Sequence, residues 1–267
     1  MVVGPCVLGC GGGGEVSDVG QEPAELCDGS DALRFAGTVG GGNAGGVPRV
    51  AMEVGWSFLL IDGQCNSWSM TEPDGPVRMG VLSPAQAEQF AADLELGHWG
   101  SGPYTNGCFD AATIRLRFED DELLASCQSP KPTDGFRDWL ELLHASGTEV
   151  TGDVRYTVAD ASTDGWVVGN TTNIASPWPL ASDPTDGLLE RDADQDAEPR
   201  IASADDADAL RNARDAYLTQ EAATGPWLRV PLVLEVAGAE RRYLNLALRD
   251  VTLFERDGEL AVDEFLP

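Results

Sequence analysis

The stretch ATIRLRFEDDELLASC, residues 112–127, alternates apolar and polar side chains on both sides of four consecutive acids. An extended chain points successive side chains to opposite faces, so Ile114, Leu116 and Phe118 share one face. Glu119, Asp120, Asp121 and Glu122 are most simply a solvated turn, and the whole reads as a β-hairpin. WLRVPLVLEV and RRYLNLALRDVTLF, joined by AGAE, read as a second hairpin, with alternation running from Tyr243 to Leu248. Hairpins pair neighbouring strands antiparallel, whereas parallel pairing needs long crossovers. The expectation is an α+β fold: a mostly antiparallel sheet with hairpins and about three helices.

Further strands are expected at 32–39, 49–62, 77–83 and 153–160. The second is long and contains Gly55, so it breaks in two or carries a bulge. GQCNSWSM follows it. Ser83, Pro84 and Gln86 form an N-terminal capping box, and Ala87, Phe90, Ala91 and Leu94 recur at helical spacing up to a stop at Gly97. A second helix is capped by Asp134, carries Phe136, Trp139, Leu140 and Leu143 on one face, and ends at Gly147. A third starts at Ser203 and Asp206 and puts Leu210, Ala213 and Tyr217 on one side.

These elements divide the chain into four parts. Residues 1–26 hold a truncated signal and a flexible tether, and 27–160 an α+β domain. Residues 161–202 are an acidic irregular linker or loop, and 203–267 a helix plus hairpin packed on the first domain. Ser182–Asp208 alone carries ten acids against two arginines.

The full chain has 45 acidic and 17 basic residues, a formal charge of −28, and Lys131 is its one lysine. Phosphate contacts need cationic side chains, so nucleic acid is excluded as a partner. No motif for a cofactor appears. With 42% hydrophobic residues in 267, the chain can bury a real core.

The opening MVVGPCVLGCGGGG contains Gly9, Gly11 and Gly14 in a G-x-G-x-x-G pattern, but EVSDVGQEPAEL after it has no helical apolar stripe, so a dinucleotide loop is not expected. Val7-Leu8-Gly9-Cys10 is instead similar to a bacterial lipobox, with Cys10 as the lipidated residue and a Gly/acid-rich tether behind it. No Lys or Arg precedes it and the apolar region is short, so the signal would be truncated at its charged start. Cys27, Cys65, Cys108 and Cys127 are even in number and widely spaced, which suits two disulfides in an oxidising compartment. Neighbour pairing, Cys27 with Cys65 and Cys108 with Cys127, closes the shortest loops.

FLLIDGQCNSWSM and PVRMGVLSPAQAEQFAADLELGHW, within residues 56–99, together with the lipobox, resemble segments of uncharacterised lipoproteins from myxobacteria. The resemblance implies an envelope location and this class of fold, and no activity.

The chemistry-bearing candidates are few. His98 and His144 each follow or end a helix, where an imidazole also favours the helix dipole. Asp192, Asp194 and Asp196 have the first three positions of a calcium loop, but Ala197 stands where glycine is needed and Ser203 where a bidentate glutamate is needed. Seven tryptophans (56, 68, 99, 139, 166, 178 and 227) serve the core or, where exposed, stack on sugars. The expected role is a non-enzymatic cell-envelope lipoprotein, held to the membrane through Cys10, that binds a protein, glycan or cation. The competing class is a secreted hydrolase using a carboxylate pair or one of His98 and His144.

Overall fold

The computed structural model describes residues 25–40, 57–72, 75–99, 112–126, 130–160, 176–181, 200–218, 232–236 and 242–252. In chain order its elements are β1 (Leu33–Gly40), β2 (Ser57–Asp62), β3 (Asn66–Met70), β4 (Arg78–Val81), α1 (Pro84–Asp93), β5 (Thr113–Phe118) and β6 (Asp121–Ser126). Then come α2 (Lys131–Ser146), β7 (Thr148–Glu149), β8 (Val154–Asp160), β9 (Ser176–Pro177), β10 (Arg200–Ala202), α3 (Ala204–Leu218), β11 (Leu232–Val236) and β12 (Arg242–Asp250). The fold is α+β.

Seven strands form one antiparallel sheet in the order β6-β5-β1-β2-β3-β4-β7. Five form a second, β10-β8-β12-β11-β9, where only β9 and β11 run parallel. Both expected hairpins are present: β5 pairs with β6 from Thr113↔Ser126 to Phe118↔Asp121, and β11 pairs with β12 from Leu232↔Leu246 to Val236↔Arg242. The tight turn between β5 and β6 is Glu119–Asp120, with Glu119 at φ +52°.

The centre of the first sheet, β1 to β3, is buried on both faces. Phe35, Leu59, Ile61, Ile114, Leu116 and Leu123 meet α1 and α2. Phe90 of α1 sits edge-on to Phe35 at 4.9 Å and to Trp139 of α2 at 5.5 Å, the offset geometry that aromatic quadrupoles favour. Ala36, Phe58, Leu60, Trp68 and Met70 point the other way and are also buried. There the Arg249 guanidinium of β12 lies 5.9 Å from the centre of the Phe58 ring. On the far face of the second sheet Val154, Tyr156, Val158, Leu246 and Leu248 pack on Ala207 and Leu210 of α3. The layers therefore run α1 with α2, first sheet, second sheet, α3.

Several expectations need correcting. β3 lies in GQCNSWSM, a run that alternates serine with Trp and Met, so it carries no apolar signal on its helix-facing side. Ser67 and Ser69 are nevertheless 2% and 1% exposed. α2 begins at Lys131, three residues before Asp134, which sits in its first turn; Pro130 is the cap residue and makes no side-chain cap bond. α1 ends at Asp93 rather than running to Gly97, because the chain turns at Glu95. Segment 161–202 is not only linker: its described parts supply β9 and β10, the edge strands of the second sheet. Residues 49–56 of the second expected strand and the side chain of Tyr217 lie outside what is described.

Candidate functional site

A cavity of about 1040 Å³ opens between α1, the strap of residues 25–32 and the turn joining β2 to β3. The turn is built around one buried side chain. Asp62, 4% exposed, accepts from the backbone N–H of Gln64 at 2.9 Å and of Asn66 at 2.8 Å, and from Asn66 Nδ2 at 2.8 Å. A carboxylate that satisfies two backbone donors holds a turn that the backbone alone would leave open. Within this turn Cys65 takes φ +67° and is buried, 7% exposed.

Cys27 of the strap meets Cys65 at disulfide distance, with their Cα atoms 5.2 Å apart. The strap is also bonded to the turn by backbone: Gly29 N–H donates to Gly63 O at 2.6 Å, and Gly63 N–H to Ala32 O at 3.0 Å. A Cβ at Gly63 would overlap Asp28 and Ser30, so this contact requires glycine. Asp28 accepts from Ser30, and these bonds, with Arg34 beside it, hold its carboxyl below the ordinary carboxylate range. Arg34 also pairs with Glu119. Leu82 N–H donates to Cys65 O at 2.9 Å, which ties the turn to the entry of α1.

The opposite wall is α1. Its capping box is formed as expected: Gln86 N–H donates to Ser83 Oγ at 3.3 Å, and Ser83 N–H donates to Gln86 Oε1 at 2.9 Å. Its other end is a Schellman turn. Leu96 N–H donates to Ala91 O at 3.0 Å and Glu95 N–H to Ala92 O at 3.4 Å, with Glu95 at φ +53° in the position glycine usually fills. That turn, not Gly97, ends the helix. Trp99 then anchors the exit by donating from Nε1 to Leu94 O at 2.6 Å.

The cavity floor is apolar, with buried Leu26, Leu82, Ala87 and Leu96 beside the two sulfurs. Its rim is acidic: Glu25 from the strap, Glu88 and Glu95 from the α1 side, with the exposed His98 at one end. Glu95 pairs with Lys131 at 3.0 Å. Among the described residues the Glu25 and Glu88 carboxylates have no hydrogen bond or ion pair.

The second histidine is elsewhere. His144 Nδ1 lies 3.2 Å from Ser69 O and 3.4 Å from Ser69 Oγ, and Arg78 Nη1 donates to His144 O at 3.4 Å. Burial, opposed by the Ser69 carbonyl and aided by Arg78, pushes its pKa below the ordinary imidazole value of 6.5. Ser69 is 1% exposed, so this contact holds α2 to β3. Among the described residues neither imidazole is bonded to a carboxylate, and no three His, Cys, Asp or Glu side chains gather as a metal site.

The described tryptophans do not form a stacking platform. Trp68, Trp99 and Trp139 are buried, and Trp178 packs against Tyr156 at 6.4 Å. Cys10, Cys108, Cys127, the Asp192, Asp194 and Asp196 triplet, and Trp56, Trp166 and Trp227 lie outside the described residues. Glu25 and Glu88 carry no signal in sequence, because single acids in so acidic a chain do not stand out. Among the described residues no helix is long and apolar enough to cross a membrane.

Fold and site together define an α+β chain with two stacked sheets and, among the described residues, an acid-rimmed cavity. No family model, no curated protein and no solved structure matches it.

Proposed function

We propose that the chain is a cell-envelope lipoprotein, anchored through Cys10, that binds a ligand in the α1 cavity without transforming it. The observation that carries this reading is the Cys27–Cys65 pair, which forms part of the cavity wall at disulfide distance. Such pairs persist outside the reducing cytosol. The Val7–Cys10 lipobox and the likeness of residues 56–99 to myxobacterial lipoproteins point to the same compartment. The lining supports binding over catalysis: it offers apolar surface and carboxylates, with the one imidazole exposed at the edge.

Intact mass of the native protein tests it. A diacylglyceryl increment on Cys10, with Cys27 and Cys65 refusing alkylation until reduced, is the expected result. A chain that keeps Met1, bears no lipid and alkylates at both cysteines without reductant would overturn it.

A further inference from the structure

We infer that the α1 cavity docks a basic peptide segment, one in which lysine or arginine alternates with apolar residues. The inference rests on the proposed binding role of that cavity and names what it takes.

Three features carry it. The first is charge placed over apolar surface. Glu25 and Glu88 stand on different walls above a floor of leucine, alanine and sulfur, both exposed, and among the described residues neither carboxylate is in an ion pair, the Arg34 guanidinium donating to the main-chain O of Glu25 at 3.2 Å. A ligand cation would meet a free carboxylate from either side while its aliphatic stem covers the floor. The second is a precedent within the chain. The only lysine, Lys131, reaches the same rim and pairs with Glu95, so an ammonium already occupies one of the three acidic positions.

The third is shape. About 1040 Å³ is at the top of the range for small-molecule sites, roughly 300–1000 Å³, and the cavity is not enclosed, since Glu25, Glu88, Ala92 and His98 of its lining are exposed. A lipid tail needs an enclosed pocket, because any methylene left wet contributes nothing. A peptide needs the opposite, since its main-chain N–H and C=O groups must keep water or protein partners. Ala87, Ala91 and Ala92 face the cavity along α1, and their small side chains let a main chain lie close to the helix.

The test is fluorescence anisotropy with the full chain carrying Cys10→Ala, at physiological salt. The probe is a fluoresceinated hexapeptide of alternating lysine and leucine. A chain of this net charge attracts any polycation, so specificity is read from variants. Glu25→Gln with Glu88→Gln is expected to weaken binding about tenfold, and Asp205→Asn with Asp206→Asn, which removes the same charge from α3 on the layer opposite α1, less than about twofold. Ala92→Trp, at an exposed helix position, is expected to block the cavity and cost about tenfold with the circular dichroism unchanged.

Equal weakening by the two charge pairs would overturn the inference, as would undiminished binding by Ala92→Trp. Tighter binding of dodecyltrimethylammonium than of the peptide would assign the cavity to a small amphiphile instead. Lipidation of Cys10 and the state of Cys27 and Cys65 are read by mass, so the envelope reading stands or falls separately.

Discussion

At Glu95 a non-glycine residue holds the left-handed position of a Schellman turn, at φ +53°. For an L-residue that conformation costs about 1–2 kcal/mol, and its side chain recovers little, because the pair it makes with Lys131 is exposed on both partners. Glu95→Gly is therefore expected to stabilise the chain by about 1 kcal/mol, seen as a higher urea midpoint at unchanged slope. A fall in the midpoint would show that the rim charge matters more than the backbone. His144 acts in the opposite direction to most histidines that gain a partner. Its folded pKa lies below the ordinary 6.5, so as pH falls the unfolded chain takes the proton first. Its contribution is fully present above the unfolded value and is lost as pH drops from there toward the folded pKa. His144→Gln is expected to flatten that part of the stability profile between pH 7 and 5, measured as the difference from the parent chain.

At the scale of elements, helix and sheet meet without a spare atom where α2 crosses β1. A Cβ at Gly37 would overlap the Phe136 ring, which is itself fully buried and cannot swing aside. Gly37→Ala is expected to cost about 1–3 kcal/mol by thermal melting, through overlap with the ring, whereas at Gly29, with open space around it at φ +84°, a side chain would meet backbone strain alone. The Cys27–Cys65 link spans a separation of 38 residues, and replacing both with serine is expected to cost about 2–4 kcal/mol. An unchanged melting temperature would mean that the backbone bonds from the strap to Gly63 suffice. These cases also show what was legible in sequence. Alternation located both hairpins because one face of each strand is apolar, and the Ser83–Gln86 box located the start of α1 because its bonds are local. β3 escaped because Ser67 and Ser69 are small polar residues buried under α2, where burial and polarity disagree. The start of α2 differs from the expected one because Asp134 resembles a cap, while the actual cap residue, Pro130, makes no side-chain hydrogen bond and so leaves no capping signal. The cavity was not legible at all. Its walls come from residues 25–27, 64–65 and 82–98, and only folding brings those stretches together.

Across the whole molecule, two kinds of charge must be separated. Asp250, 1% exposed, binds Arg211 of α3, whose guanidinium also donates to Gly152 O at 2.8 Å, and so clamps the helix to the second sheet. Removing either partner strands a buried ion, and Asp250→Ala is expected to cost about 3–5 kcal/mol. Among the described residues most other charged side chains are exposed or half-buried, Asp62, Arg214 and Arg249 apart, and the full chain has 45 acids against 17 bases. Surface pairs among the described residues, such as Arg115 with Glu122 at 3.2 Å, are each worth less than about 1 kcal/mol and cannot offset a formal charge of −28. Net repulsion therefore opposes the compact state, and salt screens it, with a Debye length that shrinks from about 30 Å at 0.01 M to about 8 Å at 0.15 M. The melting temperature is expected to rise with sodium chloride, most steeply below about 0.15 M. The cost of Asp250→Ala, measured at low and at high salt, is expected to stay nearly constant, since water and ions do not enter between Arg211 and a fully buried carboxylate. A melting temperature that fell with salt would mean that attractive surface pairs outweigh the excess of acid, and that the acidity of this chain is patterned for stability.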